Sequence, residues 1–483
     1  MSTRHTLRPS STTSPVQAAE PGAFPLAVLL SGIFLVVLDF FIVNVALPSV
    51  QRDLHAGDTA LEWLVAGYGL AFGGLLLVAG RLGDRWGRTR VFRAGVTLFV
   101  IASAACGLAP DASTLLAARV LQGAAAAAVA PTVLALIGDV YAGPRRLWAL
   151  GTYSTVMGVA AASGQLIGGG LIHLDVAGLG WRTIFLVNVP IGLTAVALAP
   201  RALPRTRPAA GAGVDPIELL LSTAVLVAVM LPLLEGRTAG WPLWTWASLA
   251  GAVVLAGLLR ARGRALRRQG LRPLLDLAPL APRPVAFGIV AQTMLFVGMA
   301  SYFLVLGLYL QQGRGLGPLS SGLVFSVLAV SYMVGTRWAG TLVARYGRGA
   351  TVAGAALFGC GHLLQLAAVE RLGVDGSVLW LAPGLAVAGL GMGIALAALV
   401  GTVMATVEPA DAGTVSGMFS TMQQLGNALG VALVGNVYFA LADRGPAEAF
   451  AASLVCLVAT TAGVAAMASG LPRAGRAGAV VTA

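Results

Sequence analysis

Apolar residues run through this chain in blocks of about 20, separated by short stretches rich in arginine, glycine and proline. A block of that length crosses ~30 Å of hydrocarbon as an α-helix. The blocks do not alternate apolar with polar positions, as a membrane barrel strand would. Backbone groups in lipid need partners within the segment, so helices are the expected form. The pattern predicts spans at about 24–48, 60–80, 91–109, 113–138, 147–172, 183–200, 214–234, 243–261, 285–311, 319–343, 350–369, 377–404, 413–438 and 447–470. The expected protein is therefore an all-α integral membrane protein with 14 transmembrane helices, grouped six, two and six. A disordered tail (1–23) precedes an N-terminal six-helix bundle (24–200). Two inserted helices and a basic loop (201–284) lead into a C-terminal six-helix bundle (285–470) and a final tail (471–483).

Composition agrees with this reading. Of 483 residues, 57% are hydrophobic and 10% charged, too few charges to cover a soluble domain of this size. Every basic residue among the 31 is arginine. Lysine-free, alanine- and glycine-rich usage points to a GC-rich bacterial genome. With the N-terminus placed in the cytoplasm, 23 arginines fall on that side and six on the other, while Arg119 and Arg337 lie within spans. This asymmetry predicts an even number of spans, cytoplasmic termini and a plasma-membrane location. The net charge of +12 is spread over short inter-span stretches, which argues against a nucleic-acid partner. RARGRALRRQGLR after the eighth span reads as a cytoplasmic loop meeting anionic lipid heads. Cys106, Cys360 and Cys456 lie in apolar spans without metal or disulfide spacing. The polar N-terminal tail lacks the apolar core of a signal peptide. A chain without lysine has no GxxxxGK[ST] loop, so neither ATP nor another cofactor is expected.

The two six-span groups echo one another. GRLGDRWGR (Gly80 to Arg88) follows the second span and GTLVARYGR (Gly340 to Arg348) the tenth, aligned at an offset of 260. GTYST (Gly151 to Thr155) opens the fifth span, and GMFST (Gly417 to Thr421) lies in the thirteenth. Parallel duplicated halves are a mark of transporters, with the substrate site between the halves near the midplane.

Chemistry concentrates in few residues. Asp39 sits in the first span, about 22 Å from its start, without a cation in its own segment. Carboxylates in lipid are costly and mark ion or substrate paths. Arg119 in the fourth span falls at a similar depth. Burial favours a neutral acid and a nearby cation favours the carboxylate, so a changing Asp39–Arg119 distance would load and release a proton. The alternative is a fixed contact locking two helices. Asn44, Gln122, Gln165, Gln292, Tyr302, Gln423, Gln424 and Asn427 are candidate cavity groups, or helix-to-helix hydrogen bonds. Phe40, Phe41, Met294 and Phe296 would add an apolar lining suited to small amphipathic substrates. Glu62 and Glu235 fall near span ends, where solvation is expected. His362 reads as a packed histidine. In the loop after the second span, Gly83 and Gly87 permit a tight turn. Asp84 suits a helix N-terminus, and Arg85 or Arg88 can pair with Asp139. Together these six residues form a candidate conformational gate, although arginines there also satisfy topology alone.

LDFFIVNVALP (Leu38 to Pro48), GRLGDRWGR, RVLQGAAAA (Arg119 to Ala127), WRTIFLVNVPIG (Trp181 to Gly192) and TMQQLGNALG (Thr421 to Gly430) resemble the major facilitator superfamily, in its 14-helix drug:proton antiporter branch. The resemblance implies two six-helix bundles rocking about a central cavity, and proton-driven export of small amphipathic compounds; a monomer is expected, although the sequence does not fix the oligomeric state. The resemblance also implies that Asp84 faces the thirteenth span near Asp411. Three positions depart from the family pattern: Phe40-Phe41 replace the usual threonine-containing run, Gln165 stands where the helix-5 signature carries proline, and Ala344 replaces the second loop's aspartate. A nutrient importer or facilitator on the same fold is the other reading.

Overall fold

The computed structural model describes residues 22–204, 206, 215–236, 239–271, 273, 282–407 and 412–472. Among them there are fifteen α-helices and no strands. The N-terminal group comprises α1 (Ala23–Leu54), α2 (Asp58–Trp86), α3 (Arg88–Gly107), α4 (Ala112–Val140), α5 (Gly143–Leu174), the single turn α6 (Thr183–Leu186) and α7 (Asn188–Ala202). The pair is α8 (Pro216–Glu235) and α9 (Leu243–Arg268). The C-terminal group is α10 (Arg283–Leu308), α11 (Pro318–Tyr346), α12 (Arg348–Leu372), α13 (Ala382–Met404), α14 (Ala412–Leu441) and α15 (Pro446–Ala468). Thirteen segments are long and apolar enough to span a membrane, with α6 and α7 sharing one (Gly180–Ala202). Counting α5, which bends by 42° between Trp148–Ala161 and Ser163–Leu174, gives 14. A Ser163-Gly164 pair at the bend is a usual cause of such a kink.

Several helices outrun their apolar blocks. α2 continues through GRLGDRW, and the turn is confined to Gly87, whose φ of 96° suits glycine. The stretch read as a loop is thus mostly the last helical turns. RARGRALRR is likewise the end of α9 rather than a loop. Arginine is a good helix former, and nothing requires a helix to stop where the hydrocarbon does.

α1 contacts α4, α5 and α7, while α3 contacts α4 and α7. α10 contacts α13, α14 and α15, while α12 contacts α13 and α15. α2 packs on α4 as α11 packs on α13. Each of these N-terminal contacts therefore has a C-terminal counterpart, as the repeat predicts. Between halves, α2 meets α14 and α5 meets α11. Exchanging the halves converts one pair into the other, a pseudo-twofold relation. α8 leans on α2 and α14, and α9 on α8, at the rim of that junction.

The start of α1 and the end of α4 share one face: Tyr141 Oη donates to Gly22 O (2.8 Å) and accepts from Leu26 N (3.1 Å). On the same arginine-rich face Arg348 donates to the carbonyls of Ser469 and Leu471, joining α12 to the end of α15. Toward the opposite face the halves close tightly. Gln311 Nε2 donates to Val45 O (2.9 Å), and Gln312 Nε2 to Gln51 Oε1 (2.7 Å). A Cβ on Gly322 of α11 would lie 2.6 Å from the Gln165 carbonyl oxygen. Toward the arginine-rich face, Gly80 of α2, Gly151 and Gly158 of α5 and Gly340 of α11 have open space where a side chain would project.

Candidate functional site

The apolar run of α1 places Asp39 inside the N-terminal bundle, fully buried. Arg119 of α4 is equally buried, and its Nη1 donates to Asp39 Oδ2 at 2.5 Å. Its Nε donates to Leu64 O of α2 (3.2 Å). That carbonyl comes within reach because Gly123 of α4 lies directly against the Tyr68 backbone, where any Cβ would clash. The Tyr68 ring covers the guanidinium at 4.3 Å, a cation–π contact. Gln122 completes a ring of bonds: its Oε1 accepts from Arg119 (2.8 Å) and its Nε2 donates to Asp39 Oδ1 (2.8 Å) and Ser103 Oγ (3.1 Å). Asn188 Nδ2, at the start of α7, donates to the same Asp39 Oδ1 (2.9 Å) and to Ser103 Oγ (3.0 Å).

Asp39 thus accepts from three side chains on two other helices, while Arg119 Nη2 has no hydrogen-bond partner among the described residues. The arrangement surrounds the carboxyl with donors and leaves one guanidinium nitrogen, Nη2, without a hydrogen-bond partner among the described residues. It can accept a proton at the carboxylate if the pair separates, and it ties α1, α2, α3, α4 and α7 together.

The cavity candidates divide. Gln122 belongs to the Asp39 network rather than to a substrate wall. Asn44 is buried and bonds to Phe41 O of its own helix (3.2 Å); Gln165 Nε2 donates to the same carbonyl across from α5 (3.0 Å). Gln424 and Asn427 of α14 bond to one another (2.8 Å), with Gln424 against Gly73 of α2. Gln423 is half-buried. Gln292 is buried, with an unpartnered Oε1 among the described residues. Tyr302 turns away from the space between halves: its hydroxyl donates to Gln365 Oε1 (2.8 Å), and its ring meets His362 edge-on at 4.7 Å. Phe41, Phe303 and Phe325 form an aromatic chain from α1 through α10 to α11, with centroids 5.1 and 5.5 Å apart.

At the candidate gate, Gly83 is buried against Thr132, and Gly87 against Thr206 after α7. Of the two arginines considered for Asp139, Arg88 makes the bond, at 2.6 Å with each side chain about one-third exposed. Arg85 is exposed. The Asp84 side chain and Asp411 lie outside the described residues. Glu62 corrects its expectation: it is fully buried, its Oε1 3.2 Å from the Cβ position of Gly435 on α14. Glu235 is half-buried and accepts from Trp63 Nε1 (2.7 Å). Both sit where α2, α8 and α14 converge, so the halves cover them. Ser103 and Asn188 escaped the sequence reading. Asn188 carried the same signal as the chosen amides, a polar residue in an apolar run.

A sequence profile described as "Major Facilitator Superfamily" matches residues 29–431. The chain belongs to the major facilitator superfamily. Among curated members, it is 36% identical over 420 residues to the "Probable actinorhodin transporter" of Streptomyces coelicolor, covering 86% of this chain and 72% of that one. It is 37% identical to "Puromycin resistance protein pur8" of Streptomyces alboniger (88% and 84% covered). It is 35% identical to "Cephamycin export protein CmcT" of Amycolatopsis lactamdurans (86% and 85%). A solved structure of an auto-inhibited POT family peptide transporter superposes with a TM-score of 0.67 at 15% identity, covering 92% of this chain and 96% of that one. That likeness concerns the fold alone.

Proposed function

We propose that this superfamily member is a proton-coupled antiporter that exports small amphipathic compounds of the antibiotic class by alternating access. It would work as a monomer in a bacterial plasma membrane, with the arginine-rich face cytoplasmic and the proton gradient, rather than a bound cofactor, as its energy source. The observation that carries the reading is the Asp39–Arg119 pair, buried inside the N-terminal bundle of a chain whose halves close together at one face. Two of its relatives are named for resistance and export, which favours efflux over uptake. Pairing with Arg119 favours the charged carboxylate, and separation in low dielectric favours the neutral acid. A conformational change that moves α1 against α4 would therefore take up or release one proton at Asp39. The aromatic chain Phe41–Phe303–Phe325 supplies an apolar wall between the halves, fit for a lipophilic substrate.

In everted membrane vesicles from a pump-deleted host, the wild-type chain should drive ethidium transport that collapses with an uncoupler. Asp39→Asn should abolish the dependence on the pH gradient when compared at equal protein level in the membrane. Undiminished gradient dependence in that variant sinks the coupling role, and absence of any energised dye or antibiotic transport by the wild type sinks the export reading.

A further inference from the structure

Two adjoining depressions lie on the outward side of α3 at the arginine-rich face. One, of about 370 Å³, is lined by Arg85, Trp86, Arg90, Val91 and Ala94. The other, of about 510 Å³, is lined by Arg90, Arg93, Ala94, Thr97, Leu98 and Ile101. They share Arg90 and Ala94, so they form one groove. Its chemistry is graded. Arginines stand at the mouth, while apolar groups line the run toward mid-membrane. Arg90, Arg93, Thr97 and Ile101 follow helical spacing, while the intervening Phe92, Val96 and Phe99 are buried inside the bundle. From Arg90 to Ile101 the helix rises about 16 Å, the depth of one leaflet's hydrocarbon. Trp86, 54% exposed, sits at the level of the arginines, where aromatic side chains prefer the membrane interface.

Charge makes the groove more than a lipid-facing surface. α3 has no acidic residue along its length, and Asp139, near its start, is held by Arg88. Positive-inside topology would be met by arginines anywhere in the turn. Here two of them project from the same stripe as the apolar lining.

We propose that this groove binds an anionic glycerophospholipid, its phosphate between Arg90 and Arg93 and one acyl chain along Thr97, Leu98 and Ile101. The occupant is committed by the two ends together: a free phosphate has no use for the apolar run, and a zwitterionic lipid does not match the net positive mouth. The site is separate from the Asp39 network, and its occupancy does not depend on which substrate is carried.

The test titrates the full-length protein in detergent with phosphatidylglycerol or phosphatidylcholine and counts retained lipid by native mass spectrometry. The wild type should hold phosphatidylglycerol in preference to phosphatidylcholine, and excess inorganic phosphate should not displace it. Each arginine near the surface contributes roughly fivefold to anionic-lipid affinity, so the double variant Arg90→Gln/Arg93→Gln should bind about 25-fold more weakly. The control Arg52→Gln/Arg371→Gln, on exposed positions in the last turns of α1 and α12 at the opposite face, should bind as the wild type does. Leu98→Trp, which fills the apolar run and keeps both arginines, should also weaken binding, and it carries the test if the double variant fails to fold. Equal loss in the control, equal retention of the two lipids, displacement by inorganic phosphate, or unchanged binding in Leu98→Trp overturns the proposal.

Discussion

Residues differ sharply in what their polar contacts are worth, and burial decides the difference. The Asp39–Arg119 pair is wholly inside the bundle, whereas Arg88–Asp139 is about one-third exposed at both ends. Removing one partner of a buried pair leaves an uncompensated charge at a cost of about 3–5 kcal/mol, while a partly exposed pair contributes about 0–1 kcal/mol. Arg119→Gln should therefore lower the thermal unfolding temperature markedly, and adding Asp39→Asn should recover most of the loss. Asp139→Asn should shift unfolding little. Equal destabilisation by Arg119→Gln and Asp139→Asn would contradict this account. The depth arithmetic that paired Asp39 with Arg119 needed only the span boundaries and the rise of a helix. Ser103 and Asn188 were not reachable that way, because their contact with Asp39 depends on the rotation of α3 and α7 about their axes. Outside the spans, Asp111 caps α4 by accepting from Thr114 N (2.8 Å), and that backbone bond holds its carboxyl below the usual carboxylate range.

At the scale of elements, α5 shows why its glycines recur. Gly164 and Gly168 lie against α1, at Phe41 and Ile42, while Gly169 lies against Pro318 of α11. Close approach on two faces, without a hydrophobic drive between helices in lipid, calls for small residues. These contacts are packing on both sides of α5, and the 42° bend lies at the start of the glycine run. The partner surface on α11 offers a direct test. Gly322→Leu places a branched side chain where the Gln165 backbone sits, so it should wedge α5 from α11 at the closed face. A cysteine pair placed across that contact should then cross-link several-fold less than in the parent. Unchanged cross-linking would show that the contact yields without opening. The same scale explains the two misread loops. Hydropathy marks where lipid ends, but arginine-bearing turns of α2 and α9 continue the helix beyond it.

For the whole molecule, the asymmetry between faces is the main consequence of the fold. Glu62, Gln165 and Gly322 are shut between the halves toward one face, while Gly80, Gly158 and Gly340 open toward the other. In a background with Cys106, Cys360 and Cys456 replaced by serine, Gly80→Cys, Gly158→Cys and Gly340→Cys should react with a water-soluble maleimide supplied from the arginine-rich face. Gly73→Cys, which lies against Gln424, should resist it. Uniform reactivity at all four positions would contradict the observed closure. The halves also differ in their polar centres. The N-terminal bundle holds an ion pair, whereas in the C-terminal bundle Tyr302 bonds to Gln365 and meets His362 edge-on.

The sequence by itself determined the number and order of spans, the six–two–six division, the duplicated halves and the two charged residues most costly to bury. These follow from lengths, periodicities and transfer energies, which are local properties. Only the tertiary structure decided that Gln122 and Asn188 serve Asp39, that Tyr302 faces Gln365, that Glu62 is covered by α14, and that α5 and α11 close together at Gln165 and Gly322. Those facts depend on the rotation of each helix and on the angle between the two bundles. No single span encodes either quantity; both emerge when fourteen helices share one packing solution.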